Sequence, residues 1–191
     1  MSRADNLYEL PANLPIPVDD GACAHLTNME LPSVSLPSTA GKLVDLARLP
    51  SISVVYCYPR TGRPDEGVPH GWNEIPGARG CTPQSCAFRD HHSELTALDA
   101  RVFGLSTQDT DFQQEAVERL QLPFTLLSDS ELAFTRALRL PTFEVNSMTL
   151  IKRLTLIISR GRIVKVFYPV FPPDKNAEEV IDWLAKSAAI I

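Results

Sequence analysis

Gly80-Cys81-Thr82-Pro83-Gln84-Ser85-Cys86-Ala87-Phe88-Arg89-Asp90 is the stretch from which the rest of the chain can be read. Thr82 followed by Pro83 reads as a helix start: Thr caps well, and Pro suits the first helical position, where its missing N–H costs nothing. From Pro83 to about Leu98, Ala87, Leu95 and Leu98 recur at helical spacing with Phe88 beside them. Cys81 therefore stands at a helix N-terminus, where backbone N–H groups and the helix dipole favour a thiolate. Cys86 follows five residues later. A second thiol close to a reactive one can capture its sulfenic acid as a disulfide before further oxidation.

Cysteine is among the most buried residue types, so a C-x4-C pair taken alone reads as structural. The helix start argues for chemistry, and a wider match argues further. G-C-T-x-x-x-C-x-F-R-D resembles the active-site signature of the Q-type peroxiredoxins. These are the bacterioferritin-comigratory-protein-like members of the alkyl hydroperoxide reductase and thiol-specific antioxidant family. Looser landmarks run from about Leu31 to Phe167: Gly41-Lys42 before a strand, Tyr58-Pro59, Gly104-Leu105-Ser106, Leu122-Pro123-Phe124, Leu127-Ser128-Asp129 and Arg153-x-Thr155.

The resemblance implies a peroxidatic Cys81 and a resolving Cys86 that together form an intramolecular disulfide, the atypical 2-Cys arrangement. It implies reduction of hydrogen peroxide or organic hydroperoxides, recycling by thioredoxin or a similar dithiol protein, and no metal or other cofactor. A thiolate attacking an O–O bond needs a cation to hold it ionised and to stabilise the leaving oxygen. Family resemblance points to Arg153; the residues by themselves do not rank it above Arg60, Arg79 and Arg89. Pro59 matches the family's Pro by its place after a strand. The family pattern P-x-x-x-T-x-x-C carries a Thr or Ser hydroxyl three residues before the cysteine, where this chain has Ala78. Thr61 and Thr82 are the hydroxyls left for that role. Two rival readings follow. A non-peroxidase thiol–disulfide oxidoreductase would use C-x-x-C, which is absent. A non-enzymatic thioredoxin-like redox-sensing or binding domain would fit Ala78 and the long loop before Cys81.

The chain has 191 residues, 44% hydrophobic and 21% charged, in the range of a globular protein with one core. A net charge of −5 gives no electrostatic footprint for nucleic acid. No apolar run approaches the ~20 residues that span a bilayer, so no membrane partner is expected. Residues 1–13 lack the apolar core of a signal peptide, which makes the cytoplasm the expected compartment. Four cysteines in this length are not a disulfide scaffold, and a cytosolic disulfide would be transient and catalytic. The oligomeric state is left open between monomer and homodimer.

Residues 1–30 are Pro-rich and aperiodic and read as an extended arm on a domain of residues 31–191. Cys23 and His25 lie in it without enough neighbours for a metal site. His91 and His92 follow Cys86, but C-x4-C with H-H is not a zinc spacing. Val34-Ser35-Leu36 and Lys42-Leu43-Val44 read as a small hairpin, and Ile52 to Tyr58 as a buried strand holding Cys57 in the core. A long loop, Arg60 to Arg79, feeds into Cys81 and carries His70 and Trp72; it reads as shaping the substrate mouth. Then come a strand at Arg101–Thr107, a helix at Asp109–Gln121, a strand at Phe124–Leu127 and a helix at Glu131–Leu140. Two strands at Leu150–Ile158 and Arg162–Phe167 turn through Ser159-Arg160-Gly161, and a helix at Asn176–Ala188 closes the chain. Alternating strands and helices predict an α/β fold: a central mixed sheet flanked by helices, similar to the thioredoxin-like fold of the peroxiredoxins.

Overall fold

The computed structural model of the chain describes residues 6–187. β1 (Ser35–Pro37) and β2 (Leu43–Asp45) form an antiparallel ribbon with Leu36 opposite Val44. β3 (Ile52–Cys57) is followed by the long loop, then α1 (Cys81–Asp90) and α2 (His92–Ala97). β4 (Ala100–Ser106), α3 (Thr110–Leu120), β5 (Thr125–Ser128) and α4 (Ala133–Leu138) alternate. β6 (Thr142–Val145) pairs with β7 (Met148–Ile151), β8 (Leu154–Ser159) with β9 (Arg162–Phe167), and α5 (Asn176–Ser187) ends the described chain. The expected end of α5 at Ala188 lies outside the described residues.

The central sheet has the order β5-β4-β3-β8-β9. β3, β4 and β5 run parallel, and β8 joins β3 antiparallel, so the sheet is mixed. Its faces follow from the alternation of side chains along each strand. Val54 and Tyr56 of β3 pack with α1, α2, α3 and α5. Val55 and Cys57 pack on the other side, with α4, the β1–β2 ribbon and Cys23, Leu26 and Leu31. Each such Val or Leu contributes roughly 1.5–3 kcal/mol when fully buried. Burial also pushes the Cys57 thiol far up, which leaves it an inert packing group. Backbone bonds lock the segment before β1 to β9 and the turn that leads into it, from Asn28 N–H to Ile163 O (2.8 Å) and from Leu31 N–H to Gly161 O (2.8 Å). Among the described residues no helix is long and apolar enough to cross a membrane.

Three expected elements are corrected. The helix starts at Cys81, not after Thr82; its N-cap is Gly80, at φ 108°, a conformation that L side chains rarely adopt. That helix also stops at Asp90 and restarts after His91, whose ψ of 9° leaves the helical basin. Apolar spacing runs through such a joint unchanged, so periodicity does not reveal it. The strand expected from Leu150 to Ile158 is two strands with Lys152 and Arg153 between them. β7 belongs to a separate ribbon with β6, turned through Asn146 and Ser147, both at positive φ. α4 is shorter than expected because Asp129 caps it from four residues upstream of its first turn: its carboxylate accepts from Phe134 N–H (2.9 Å), Thr135 N–H (2.8 Å) and the Thr135 hydroxyl (2.6 Å).

Candidate active site

Cys81 is the first residue of α1 and only 4% exposed. α1 is held to the sheet by Tyr56 of β3, whose ring stacks on Phe88 at 4.6 Å and whose hydroxyl donates to Ser85 Oγ (3.0 Å). Burial pushes that phenol well up, so it stays a neutral donor. Arg153, 3% exposed, leaves the β7–β8 junction and turns inward to the same point. Its Nη2 lies 3.1 Å from Cys81 Sγ. The same guanidinium donates to the carbonyls of Gly77 (3.2 Å), Ala78 (3.0 Å) and Arg79 (3.2 Å), and its Nη1 donates to Gln84 Oε1.

Gln84 is a residue that the sequence reasoning missed. It stands three positions after Cys81, hence on the same side of α1, and that spacing was the available signal. Its Nε2 donates to Asn176 Oδ1 (3.1 Å), which also accepts from the Thr155 hydroxyl (2.6 Å). All three side chains are fully buried. The chain of bonds ties β8, the start of α5, α1 and Arg153 into one frame around the sulfur.

A buried guanidinium needs a counter-charge, because an unpaired buried ion is strongly disfavoured. Among the described residues no carboxylate pairs with Arg153; its partners are neutral carbonyls, an amide and the Cys81 sulfur. Ala78 lacks a hydroxyl but places its carbonyl on Arg153 and 3.7 Å from Cys81 Sγ. Thr82 is buried on the wall of the Cys81 cavity. Thr61 is buried too, but its N–H (2.9 Å) and hydroxyl (3.2 Å) both donate to Gln108 Oε1. Pro59 is buried just past β3 and does not line that cavity.

The cavity over Cys81 measures about 30 Å³. Its walls come from the long loop, with Val68, Pro69 and a buried Trp72, from Arg60 and Arg79, and from Leu7 near the N-terminus. His70 is exposed and not on the wall. Cys86, half-buried, lies in a separate surface depression beside Tyr8, Leu10 and Asp90. Burial pushes its thiol up, against the opposing pull of Arg89. That Arg pairs with Asp90 (2.8 Å) and donates to Leu120 O (2.9 Å) rather than facing Cys81.

Gly80 is needed at the start of α1 for a second reason. A Cβ there would fall 2.4 Å from Pro173 Cγ and 2.8 Å from Leu10 Cδ2. Gly80→Ala should therefore destabilise the protein by about 1–3 kcal/mol through strain and overpacking, read as a lower urea midpoint at unchanged slope.

A match to the family model described as Redoxin covers residues 26–181. The chain belongs to the Redoxin family. Among curated Redoxin relatives, it is 30% identical over 155 residues to a chloroplastic peroxiredoxin Q of Populus jackii, across 80% of this chain and 65% of that one. A chloroplastic peroxiredoxin Q of Suaeda salsa is 29% identical over 155 residues, across 80% of this chain and 64% of its own. The chain thus spans just under two thirds of the length of these relatives. Among solved structures, peroxidoxin BcpB of Mycobacterium tuberculosis superposes with TM-score 0.68 at 22% identity, over 86% of this chain and 97% of that one. Peroxiredoxin Q of Xanthomonas campestris gives 0.65 at 19% identity, over 92% and 98%. At such identities the structures speak for the fold, which is the thioredoxin-like α/β fold that the sequence predicts.

Proposed function

We propose that this Redoxin chain is a thiol peroxidase in which Cys81 attacks the peroxide and Cys86 resolves the product. The observation that carries the reading is the Arg153 Nη2 to Cys81 Sγ contact of 3.1 Å at the start of α1. The Cys81 thiolate attacks one peroxide oxygen. An S–O bond forms, the O–O bond breaks, and the departing alkoxide or hydroxide takes a proton and leaves as alcohol or water. Arg153, already aimed at the sulfur, donates to the charge that moves onto the oxygens. The Cys86 thiolate then attacks the sulfenic sulfur; an S–S bond forms, the S–O bond breaks, and the departing hydroxide takes a proton and leaves as water. A dithiol protein of the thioredoxin kind returns the disulfide to two thiols and is itself oxidised. Thr82, on the cavity wall, is the hydroxyl best placed to meet the peroxide where the family has Thr at position 78. The similarity to peroxiredoxin Q proteins supports the reading, as does the alkyl peroxide reduction activity of the Xanthomonas campestris bacterioferritin comigratory protein, whose fold this chain shares.

Cys86→Ser tests the assignment. It should leave the first oxidation of Cys81 intact, abolish turnover with a dithiol reductant, and let Cys81 advance to sulfinic acid, read by peptide mass spectrometry. Normal turnover in that variant would remove Cys86 from the resolving role.

A further inference from the structure

The wall of the Cys81 cavity that is farthest away in sequence is Leu7. Residues 6–10 make one turn, closed by Glu9 N–H to Asn6 O (3.3 Å), with Leu7 and Leu10 half-buried beneath it and Tyr8 and Glu9 exposed. Leu7 sits on Gly62 and Leu10 on Gly80, two glycines that line the cavity of the reactive cysteine. Leu7 Cδ2 lies 3.0 Å from where a Cβ of Gly62 would be, and Leu10 Cδ2 lies 2.8 Å from that of Gly80. Two polar contacts pin the same turn: Arg79 Nη2 donates to Asn6 O (2.7 Å), and Arg119 Nη1 to the Tyr8 hydroxyl (3.4 Å). The turn is therefore seated over the mouth by two polar contacts, with the two leucine side chains packed beneath it. Under it, about 30 Å³ remains, room for roughly one or two water-sized molecules. Hydrogen peroxide fits that space. A hydroperoxide with an aromatic or branched alkyl group needs more room than that, and Leu7 is part of the wall that limits it.

We propose that residues 6–10 form a lid on the Cys81 cavity and that Leu7 sets the size of peroxide that reaches the sulfur. The proposal rests on the peroxidase reading. Small peroxides enter beneath the closed lid; bulky organic hydroperoxides react only in the fraction of molecules whose lid is raised, and their apparent rate is lowered by that fraction. A single apolar wall of this kind is worth roughly 10–200-fold in discrimination.

The test compares the rate constants for Cys81 oxidation by hydrogen peroxide and by cumene hydroperoxide in the reduced full chain. Two variants are used: Leu7→Gly, which removes the wall, and Leu10→Ala, which loosens the lid from a position outside the cavity. The ratio of the cumene to the hydrogen peroxide rate constant should rise about tenfold or more in Leu7→Gly and by a smaller factor in Leu10→Ala. A ratio unchanged in both overturns the lid. A second readout does not depend on peroxide chemistry: alkylation of Cys81 by iodoacetamide and by a bulky N-aryl maleimide, located by peptide mass spectrometry. The maleimide should gain on iodoacetamide in the same variants. If the wild-type protein reacts with neither peroxide while the alkylation ratio shifts, the lid stands and the peroxidase reading falls; if the alkylation ratio stays constant, the lid falls.

Discussion

Arg153→Ala should slow the reaction of Cys81 with hydrogen peroxide by about 10²–10³-fold, the effect of removing one preorganised donor from a charge-developing site. The geometry makes the loss large. Arg153 is buried, so its interaction with the sulfur is weakly screened, and it is fixed by three carbonyls and Gln84 before any substrate arrives. No rearrangement is then required at the moment of reaction. Arg153→Lys should recover only part of the rate, because an ammonium cannot hold Gln84 and the sulfur in one plane as the guanidinium does. The same substitution also removes donors from the carbonyls of Gly77, Ala78 and Arg79, so some global stability is lost. Stopped-flow rates on samples shown folded by circular dichroism separate the two effects. A wild-type-like rate constant in the alanine variant would move the role to Arg60 or Arg79, both of which line the cavity.

The stretch from Gly80 to Asp90 made much of this site legible because helix geometry is local. Thr82 and Pro83 marked a helix start to within two residues, and the buried run at Ile52–Tyr58 marked the central strand. What remained hidden depends on contacts between distant residues. Arg153 is 72 positions from Cys81, and nothing in the residues themselves brings the two together; the family resemblance pointed to it. The split of the Leu150–Ile158 run escaped because β7 and β8 are both apolar and only the inward turn of Arg153 separates them. Asn146-Ser147 between Thr142–Val145 and Met148–Ile151 was a readable two-residue turn, and its β-ribbon alternation would have exposed the second hairpin. Leu7 gave no signal at all, since a Leu in a Pro-rich, aperiodic segment acquires meaning only from what it covers, here Gly62 on the cavity wall.

Oxidation of Cys81 should unwind the first turns of α1, and reduction should re-form them. Cys81 and Cys86 lie on one continuous helix. Five residues of intact helix rise about 7.5 Å and rotate about 140° net, so the two side chains point to different sides. A disulfide wants Cα atoms roughly 4.4–6.8 Å apart with converging Cβ vectors. The helix between them must therefore open. Opening it breaks the Gln84 N–H bond to Gly80 O (3.0 Å), the Tyr56 to Ser85 hydrogen bond and the link from Arg153 through Gln84. It also exposes Cys86. Burial is the main cause holding that thiol up, so exposure brings its pKa down toward the ordinary range and raises its thiolate fraction at neutral pH. On the proposed mechanism Cys86 is thus dormant while α1 is folded and active once it opens, and the resolution step should accelerate with rising pH. A helix end is the least stable part of its helix, so the opening is accessible without global unfolding. Amide hydrogen exchange of the reduced and peroxide-oxidised protein reads the change directly: protection from Thr82 to Arg89 should be lost on oxidation and restored by a dithiol. If protection there were the same in both states, Cys86 would either pair across a subunit boundary or not be the resolving cysteine.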